Sequence, residues 1–344
     1  MKGVLMIRAS APAKVILFGE HAVVYDKLGI AAAVGIRSFV KIRESKDKFI
    51  TVIDNRLHLT QTWTEAEVLK LKYFVDESRK KEDYESLRQL SKESVFSPIK
   101  YIISLFIDEH GFVPFELSLD SKIPMTSGMG SGSSLFASIA AAVAGFYRLN
   151  IQKKEISDIT YQGDIIAHGG TPSGIDNNTV VYGGYIAFRK SEKVKVLDIE
   201  QKIPIVIGST GIKGNTAELV AGVRSLIKEK PEKKKILDEI GDISQRSIDF
   251  IKNGNLEELG VLMNKNHTLL RELGVSHPLV EGLCEAACNA GALGAKLSGA
   301  GGGGIMIALA DSKESQEKIA EAIKKSGGDA IITDIGVEGV RLAE

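Results

Sequence analysis

The segment IPMTSGMGSGSSLFASIAAAVAGFYRL, residues 123–149, joins a loop with three alternating glycines to a long apolar run. Gly128, Gly130 and Gly132 give this loop backbone conformations that other residues avoid. The run that follows is apolar nearly all round, which is typical of a helix buried on most sides. The free N–H groups and the positive dipole end at the start of such a helix attract anions. The segment therefore predicts a phosphate-binding loop in front of a central helix.

Two familiar phosphate-binding motifs do not fit this loop. No lysine follows the glycines, as a Walker A motif requires, and Ser133 stands where a dinucleotide fingerprint beginning at Gly128 needs glycine. A glycine-rich connector that binds no ligand is the alternative interpretation. The spacing thus excludes a P-loop and a Rossmann site but leaves another kind of phosphate site open.

A second segment, SAPAKVILFGEHAVVY at residues 10–25, places ionisable residues among small and apolar ones. Lys14 interrupts an apolar strand, and Glu20 and His21 directly follow Gly19. The lysine either extends along a strand edge or is held as a point charge for a phosphoryl group or a hydroxyl. His21 alone is typical of a structural histidine.

Two later segments also combine glycine with polar residues. In QGDIIAHGGTPSGIDNNTVVYGGYIAF, residues 162–188, Asp164 precedes His168 by one helical turn, and Asp176 follows a Pro-Ser-Gly turn. Asp176 either caps a helix or accepts hydrogen bonds from amides of a rigid loop. In KLSGAGGGG, residues 296–304, consecutive glycines allow two backbones to pack closely or close the other side of a phosphate cradle.

Composition narrows the class of protein. The 344 residues carry 44 Lys and Arg against 44 Asp and Glu, so partners recognised by bulk charge, nucleic acids and anionic membranes, are not expected. The longest apolar stretch, Leu135 to Tyr147, is shorter than the roughly 20 residues of a membrane span. The N-terminal residues lack the apolar core of a secretion signal, so a cytoplasmic protein is expected.

Periodicity predicts a β-rich beginning over 4–59, followed by charged helical sequence from Thr64 to Ser94. A helix after Pro98, a strand at 115–119 and a strand pair or hairpin in VVYGGYIAF come next. After a composition shift near Ser191, strands and helices alternate to the end, with an exposed lysine-rich loop at 228–235.

In their order, the four segments resemble the GHMP kinases: a lysine-containing strand ending in Gly-Glu-His, a glycine-serine loop, Pro-Ser-Gly-x-Asp, and a late Gly-Ala-Gly-Gly-Gly. The resemblance extends over 10–304, with nothing recognised at 60–95. Within the family, the segments at 214–224 and 266–284 are most similar to the mevalonate kinases.

The resemblance implies an α+β fold of two domains with the active site in the cleft between them. The N-terminal domain, S5-domain-2-like, is expected at 1–190, and the C-terminal, ferredoxin-like domain at 191–334. A last strand at 335–344 is a candidate to return to the first domain.

The resemblance also implies an activity: ATP-dependent phosphorylation of the 5-hydroxyl of mevalonate, with Mg²⁺, as a step of isoprenoid biosynthesis. Asp176 matches the catalytic aspartate, and Lys14 the lysine that acts on the same hydroxyl. Glu20 and His21 match positions that contact the substrate or organise the site. The residues expected to bind ATP are Pro124, Met125, Thr126, Ser127, Gly128, Met129, Gly130, Ser131, Gly132, Ser133, Ser134, Gly301 and Gly302.

Ser134 and Asp164 match the magnesium ligands. Asp164 departs from the glutamate that mevalonate kinases often carry there, and a water between carboxylate and metal would restore the reach of the shorter side chain. The alternatives are a GHMP kinase for phosphomevalonate, galactose or homoserine, a decarboxylase of the same fold, and an inactive ATP-binding relative. A homodimer is a further expectation.

The loop matches the family pattern Pro-x-Gly-x-Gly-Leu-Gly-Ser-Ser in two ways. Counting without gaps from Pro124 puts Gly132 on the second serine, which removes the metal-binding hydroxyl and leaves Ser131 as the candidate. Counting back from the helix keeps the glycines in place and puts Ser134 at the helix start. We prefer the second count, which predicts that Ser134 holds the metal.

Overall fold

A computed structural model describes residues 6–124, 128–192 and 194–343. Met125, Thr126 and Ser127, which were expected to bind ATP, lie outside the described residues. The described strands are β1 Met6–Phe18, β2 Gly29–Glu44, β3 Ile50–Asp54, β4 Leu59–Trp63, β5 Phe115–Ser121, β6 Tyr185–Phe188, β7 Lys195–Leu197, β8 Ile203–Ser209, β9 Gly294–Ser298, β10 Ile305–Leu309, β11 Asp329–Ile335 and β12 Arg341–Ala343.

The helices fall mainly after the first four strands and in the C-terminal half. They are α1 Glu65–Lys80, α2 Tyr84–Glu93, α3 Ser97–His110, α4 Ser131–Phe146, α5 Lys153–His168, α6 Ile175–Tyr182, α7 Thr216–Glu229, α8 Lys234–Asn253, α9 Leu256–Glu272, α10 Pro278–Asn289 and α11 Lys313–Lys325. Short 3₁₀ helices cover Ala22–Tyr25 and Pro231–Lys233. The predicted β-rich beginning and the helices at 64–94, after Pro98 and from 236 onward are therefore confirmed.

The strands form one continuous sheet that joins the two halves of the chain. Its order is β4-β3-β5-β2-β11-β8-β10-β9, and β1 pairs antiparallel with β2 along nearly its whole length. In this order the two halves join where Val34 of β2 pairs with Ile335 of β11. The C-terminal strand β12 returns to pair with β1. The sheet thus brings the end of β1 close to the C-terminal half.

Helix α4 is the buried centre of the N-terminal half, as its apolar sequence predicts. Thirteen of its residues, including Ser133 and Ser134, are buried, and it packs on β1, β2, α3 and α5. Gly130 precedes the helix in the left-handed conformation, with φ 69°. Small side chains such as alanine let this helix lie close to the strands, so its N-terminus is fixed beside β1.

Three expectations need correction. The segment VVYGGYIAF is not a strand pair, because its first three residues end helix α6 and the strand β6 begins only at Tyr185. Helix α7 was not predicted. The lysine-rich segment at 228–235 is largely exposed, as expected, but it is not a loop. Helix α7 ends within it, α8 begins within it, and a 3₁₀ turn lies between them.

Strand β7, at Lys195–Leu197, pairs with β6 of the N-terminal half, so that half continues past Ser191. The boundary at 190/191 stays a prediction. Among the helices that the structure describes, none is long and apolar enough to cross a membrane.

Candidate functional site

Lys14 and Asp176 meet at the point where three elements converge. The Nζ atom of Lys14 on β1 lies 3.1 Å from Oδ1 of Asp176, and Lys14 is only 7% exposed. Asp176 is the second residue of α6, where the positive end of the helix dipole favours a carboxylate. The backbone N–H of Lys14 donates to the carbonyl of Met129 at 2.9 Å, which joins β1 to the glycine loop.

The glycine loop leaves almost no free space at this point. A Cβ atom on Gly130 would lie 2.9 Å from Cγ of Lys14 and 3.6 Å from Oδ2 of Asp176. Gly130 also has a positive φ, so its backbone and its surroundings both require glycine. The N-terminus of α4 therefore faces the Lys14–Asp176 pair directly, which favours an anionic group between them.

Asp164 on α5 forms a second carboxylate centre next to the first. The Ser133 hydroxyl donates to both of its oxygens, at 2.7 and 2.9 Å. Burial raises the pKa of the Asp164 carboxyl to about 8; the Ser133 hydrogen bond acts in the opposite direction, and the charge of Asp176 adds to the increase. Among the described residues Asp164 has no ion-pair partner. A buried carboxyl of this kind is ready to receive a cation.

Ser133 and Ser134 are neighbours in the first turn of α4 but have different hydrogen-bond partners. Helix α4 begins at Ser131, so Ser134 lies in the first full turn and not at the helix start. Its hydroxyl is fully buried and donates to the carbonyl of Ala11 at 2.8 Å. Ser133, one residue earlier, is the serine that contacts Asp164. The metal-binding role expected for Ser134 stays a prediction, and neither count of the loop singles out Ser133.

A cavity of about 360 Å³ opens beside the Lys14–Asp176 pair. Residues from both halves of the chain line it, and they are Lys14, Ile16, Gly19, Glu20, His21, Val23, Val24, Gly128, His168, Asp176, Phe188, Thr216, Val220, Gly299 and Ala300. A smaller cavity of about 240 Å³, between Asp164 and Asn177, shares His168 and Asp176 with it. Asp176 therefore lies where the two cavities meet.

His21 is held rigidly in the wall of the larger cavity. It has φ 60°, is 5% exposed, and its Nε2 donates to the carbonyl of Ala300 at 2.7 Å. Burial lowers the pKa of His21 below its ordinary value, so the ring is neutral at pH 7. Its Nδ1 then carries a free lone pair, and no described residue bonds to it. Nδ1 is itself buried, so His21 forms part of the cavity wall without exposing this atom to the cavity.

Glu20 lies beside His21, but both of its carboxylate oxygens bind residues of the C-terminal half. Nζ of Lys296 on β9 donates to Oε1, and the side-chain amide of Asn266 on α9 donates to Oε2 at 3.4 Å. Glu20 and Lys296 are almost fully buried. Of the two roles expected for Glu20, this geometry favours organisation of the site over contact with a substrate.

The late glycine segment forms the rim of the cavity only at its start. Gly299 and Ala300 line the cavity, whereas Gly301 and Gly302 pack against the C-terminal half. A Cβ on Gly301 would lie 1.9 Å from the carbonyl oxygen of Val275, which accounts for glycine at that position. ATP contact by Gly301 and Gly302 stays a prediction.

Sequence reasoning missed Ser133 as the partner of Asp164, and it missed Lys296, Asn266 and Thr216 altogether. Lys296 had one signal, its position directly before the glycine segment. Asn266 and Thr216 lie inside segments quoted for their resemblance, without any residue pattern that singles them out.

Comparisons with known proteins show the family of the chain. The models of the GHMP kinase N-terminal and C-terminal domains match residues 97–184 and 247–329. The mevalonate kinase of Pyrococcus furiosus is 38% identical over 99% of both chains. The crystal structure of the Methanococcus jannaschii mevalonate kinase superposes with a TM-score of 0.79 at 26% identity, covering 100% of both chains. The crystal structure of the L. major mevalonate kinase in complex with R-mevalonate superposes with a TM-score of 0.77 at 25% sequence identity. The match covers 98% of this chain and 97% of that one. By full-length similarity and by matched domains, the chain belongs to the GHMP kinase family.

Proposed function

We propose that the chain is a mevalonate kinase, which transfers the γ-phosphoryl group of ATP to the 5-hydroxyl of mevalonate. The observation that carries this proposal is the Lys14–Asp176 pair, 3.1 Å apart, at the junction of the two cavities. The similarity to full-length mevalonate kinases selects the acceptor. The substrate is a small branched hydroxy acid, and the larger cavity combines polar groups with the apolar side chains of Ile16, Val23 and Phe188.

Asp176 accepts the proton of the acceptor hydroxyl as its oxygen attacks the γ-phosphorus. The new O–P bond forms while the bond from the γ-phosphorus to the bridging oxygen of ADP breaks, so the electron pair leaves with ADP. Lys14 balances the charge on the hydroxyl and the moving phosphoryl group. His21 shapes the wall of the larger cavity against which the acceptor lies.

The glycine loop and the first turn of α4 bind the phosphates through backbone N–H groups. Asp164 and Ser133 supply the hard oxygen ligands that suit Mg²⁺, and the lack of an ion pair at Asp164 among described residues fits a cation there. Mg²⁺ held by Asp164 and Ser133 would supply positive charge that offsets the negative charge of the phosphates. The metal position itself is part of the proposal.

The test is ADP release from purified protein with ATP, Mg²⁺ and a panel of acceptors: mevalonate, phosphomevalonate, galactose and homoserine. We expect turnover with mevalonate and little with the others. Preferred turnover of another alcohol would favour a different GHMP kinase, and ATP binding without any turnover would favour an inactive relative. The homodimer also stays a prediction, and sedimentation velocity measures it.

A further inference from the structure

Lys296 is a buried lysine outside the groups to which the proposed reaction assigns a role. It lies on β9 with a fully buried side chain, and its Nζ donates to Glu20 and to the carbonyl of Leu297. Glu20 belongs to the N-terminal half and lies 276 positions earlier in the sequence. The ion pair therefore connects the two halves directly beneath the wall of the larger cavity.

Two more contacts follow along the same segment and end at the cavity. The Ser298 hydroxyl donates to the carbonyl of Ile16 at 2.8 Å and accepts from its N–H at 3.1 Å. The carbonyl of Ala300 accepts from His21 at 2.7 Å. Ile16, His21 and Ala300 all line the cavity. The end of β1 and the end of β9 are thus joined at three successive points, of which the Lys296–Glu20 pair is the first.

Stability alone is a weak explanation for this pair. Removing two charges from water costs about as much as their attraction returns, so a well-packed apolar pair would serve the fold as well. An ion pair with defined hydrogen bonds does fix the direction of Glu20 in a way that apolar contacts do not. The residue that follows Glu20 is His21, whose left-handed backbone leaves little freedom to adjust.

We propose that Lys296 is a positioning residue for the acceptor: through Glu20 it fixes His21 and the rim at Ala300 in the geometry that binds mevalonate. This inference rests on the proposed function. Lys296 is fully buried and lies outside the residues that line either cavity. Its contacts lead to the wall at His21 and Ala300, whereas the glycine loop is joined to β1 at Lys14. Loss of Lys296 should therefore weaken the binding of the acceptor and leave the binding of the nucleotide unchanged.

The experiment compares Lys296→Met, Glu20→Gln and the double variant by steady-state kinetics and thermal unfolding. Each single variant leaves a buried group without its partner, so its melting temperature falls. The double variant removes both charges and recovers most of that loss. In every variant that folds, the KM for mevalonate rises about tenfold or more because the acceptor is misplaced, while the KM for ATP changes less than about twofold.

Ile319→Ala is the matched control, because Ile319 is fully buried on α11 of the same half and lies outside the residues that line the cavity. It lowers the melting temperature and leaves both KM values unchanged. A double variant that is stable and has the wild-type KM for mevalonate would overturn the proposal, as would an equal rise in both KM values. Wild-type protein is assayed in parallel, so its failure to phosphorylate mevalonate would instead refute the proposed function.

Discussion

At the scale of single residues, the carboxylate of Asp176 and the ammonium group of Lys14 are the charges nearest to the expected site of transfer. Asp176→Asn keeps the shape of the side chain and removes the proton acceptor. We expect kcat to fall by about 10²- to 10⁴-fold, the usual contribution of a general base. ATP binding, measured by isothermal titration calorimetry, should stay nearly unchanged because the glycine loop is intact. Turnover within about threefold of wild type would contradict the assignment.

Ser133 and Ser134, both in the first turn of α4, have different hydrogen-bond partners. Ser133→Ala removes the hydroxyl on Asp164, so the Mg²⁺ concentration for half-maximal rate should rise and turnover should fall. Ser134→Ala leaves the carbonyl of Ala11 without its buried donor, so it should cost about 1–3 kcal/mol of unfolding free energy with a small effect on the Mg²⁺ requirement. Magnesium titrations of both variants measure the Mg²⁺ requirement, and denaturant unfolding measures the free energy of unfolding. The reverse ranking would restore Ser134 as the metal-binding serine.

Single residues were predictable where chemistry and spacing coincide in a short segment. Lys14, Asp176 and Asp164 could be selected because each interrupts a small or glycine-rich stretch. The partner of Glu20 could not be selected, because nothing local in the sequence connects Glu20 with Lys296 or Asn266. The two registers of the glycine loop offered Ser131 and Ser134 but not Ser133. The serine that faces Asp164 depends on the rotation of one helix, which the sequence does not determine.

At the scale of elements, the start of α4 depends on the left-handed Gly130. Gly130 and Gly128 have similar φ values, 69° and 73°, but a Cβ on Gly128 meets no described atom within 4 Å, whereas one on Gly130 meets Lys14. Both alanine variants should lose about 1 kcal/mol or more of unfolding free energy from backbone strain. Only Gly130→Ala should also move Lys14 and lower kcat strongly. Equal kcat values for the two variants would show that the helix start does not position the lysine.

The prediction of helices and strands from the sequence failed where a helix is short or where it ends among residues with high strand propensity. Helix α6 ends in Val-Val-Tyr, a sequence with strand propensity. These three residues are nevertheless helical, because α6 begins after Gly174 and packs against α4 and α5. Tertiary packing overrides local propensity in such cases. Long apolar patterns such as α4 and α9 were predictable because their periodicity extends over several turns.

At the scale of the whole molecule, the two halves share one sheet and one apolar cluster that spans both. The largest apolar cluster combines residues of β1 and β2 with residues of β8, β10 and the C-terminal helices. We therefore expect a single cooperative unfolding transition. Trp63 is the chain's one tryptophan and is buried in the N-terminal half, so its fluorescence follows the unfolding of that half. Far-UV circular dichroism follows the loss of secondary structure in the whole chain. The two denaturation curves should coincide. Separate midpoints would show that the halves unfold independently.

The central claim is that the phosphoryl group moves to the 5-hydroxyl of mevalonate at the Lys14–Asp176 junction. The most direct measurement is the ³¹P–¹H correlation spectrum of the reaction product formed from ATP and mevalonate, with Asp176→Asn protein in a parallel sample. The account predicts a phosphate coupled to the C5 methylene protons with wild-type protein, and no such product over the same time with the variant. A phosphate on another position, ADP release without phosphorylated mevalonate, or equal product from the variant would contradict it.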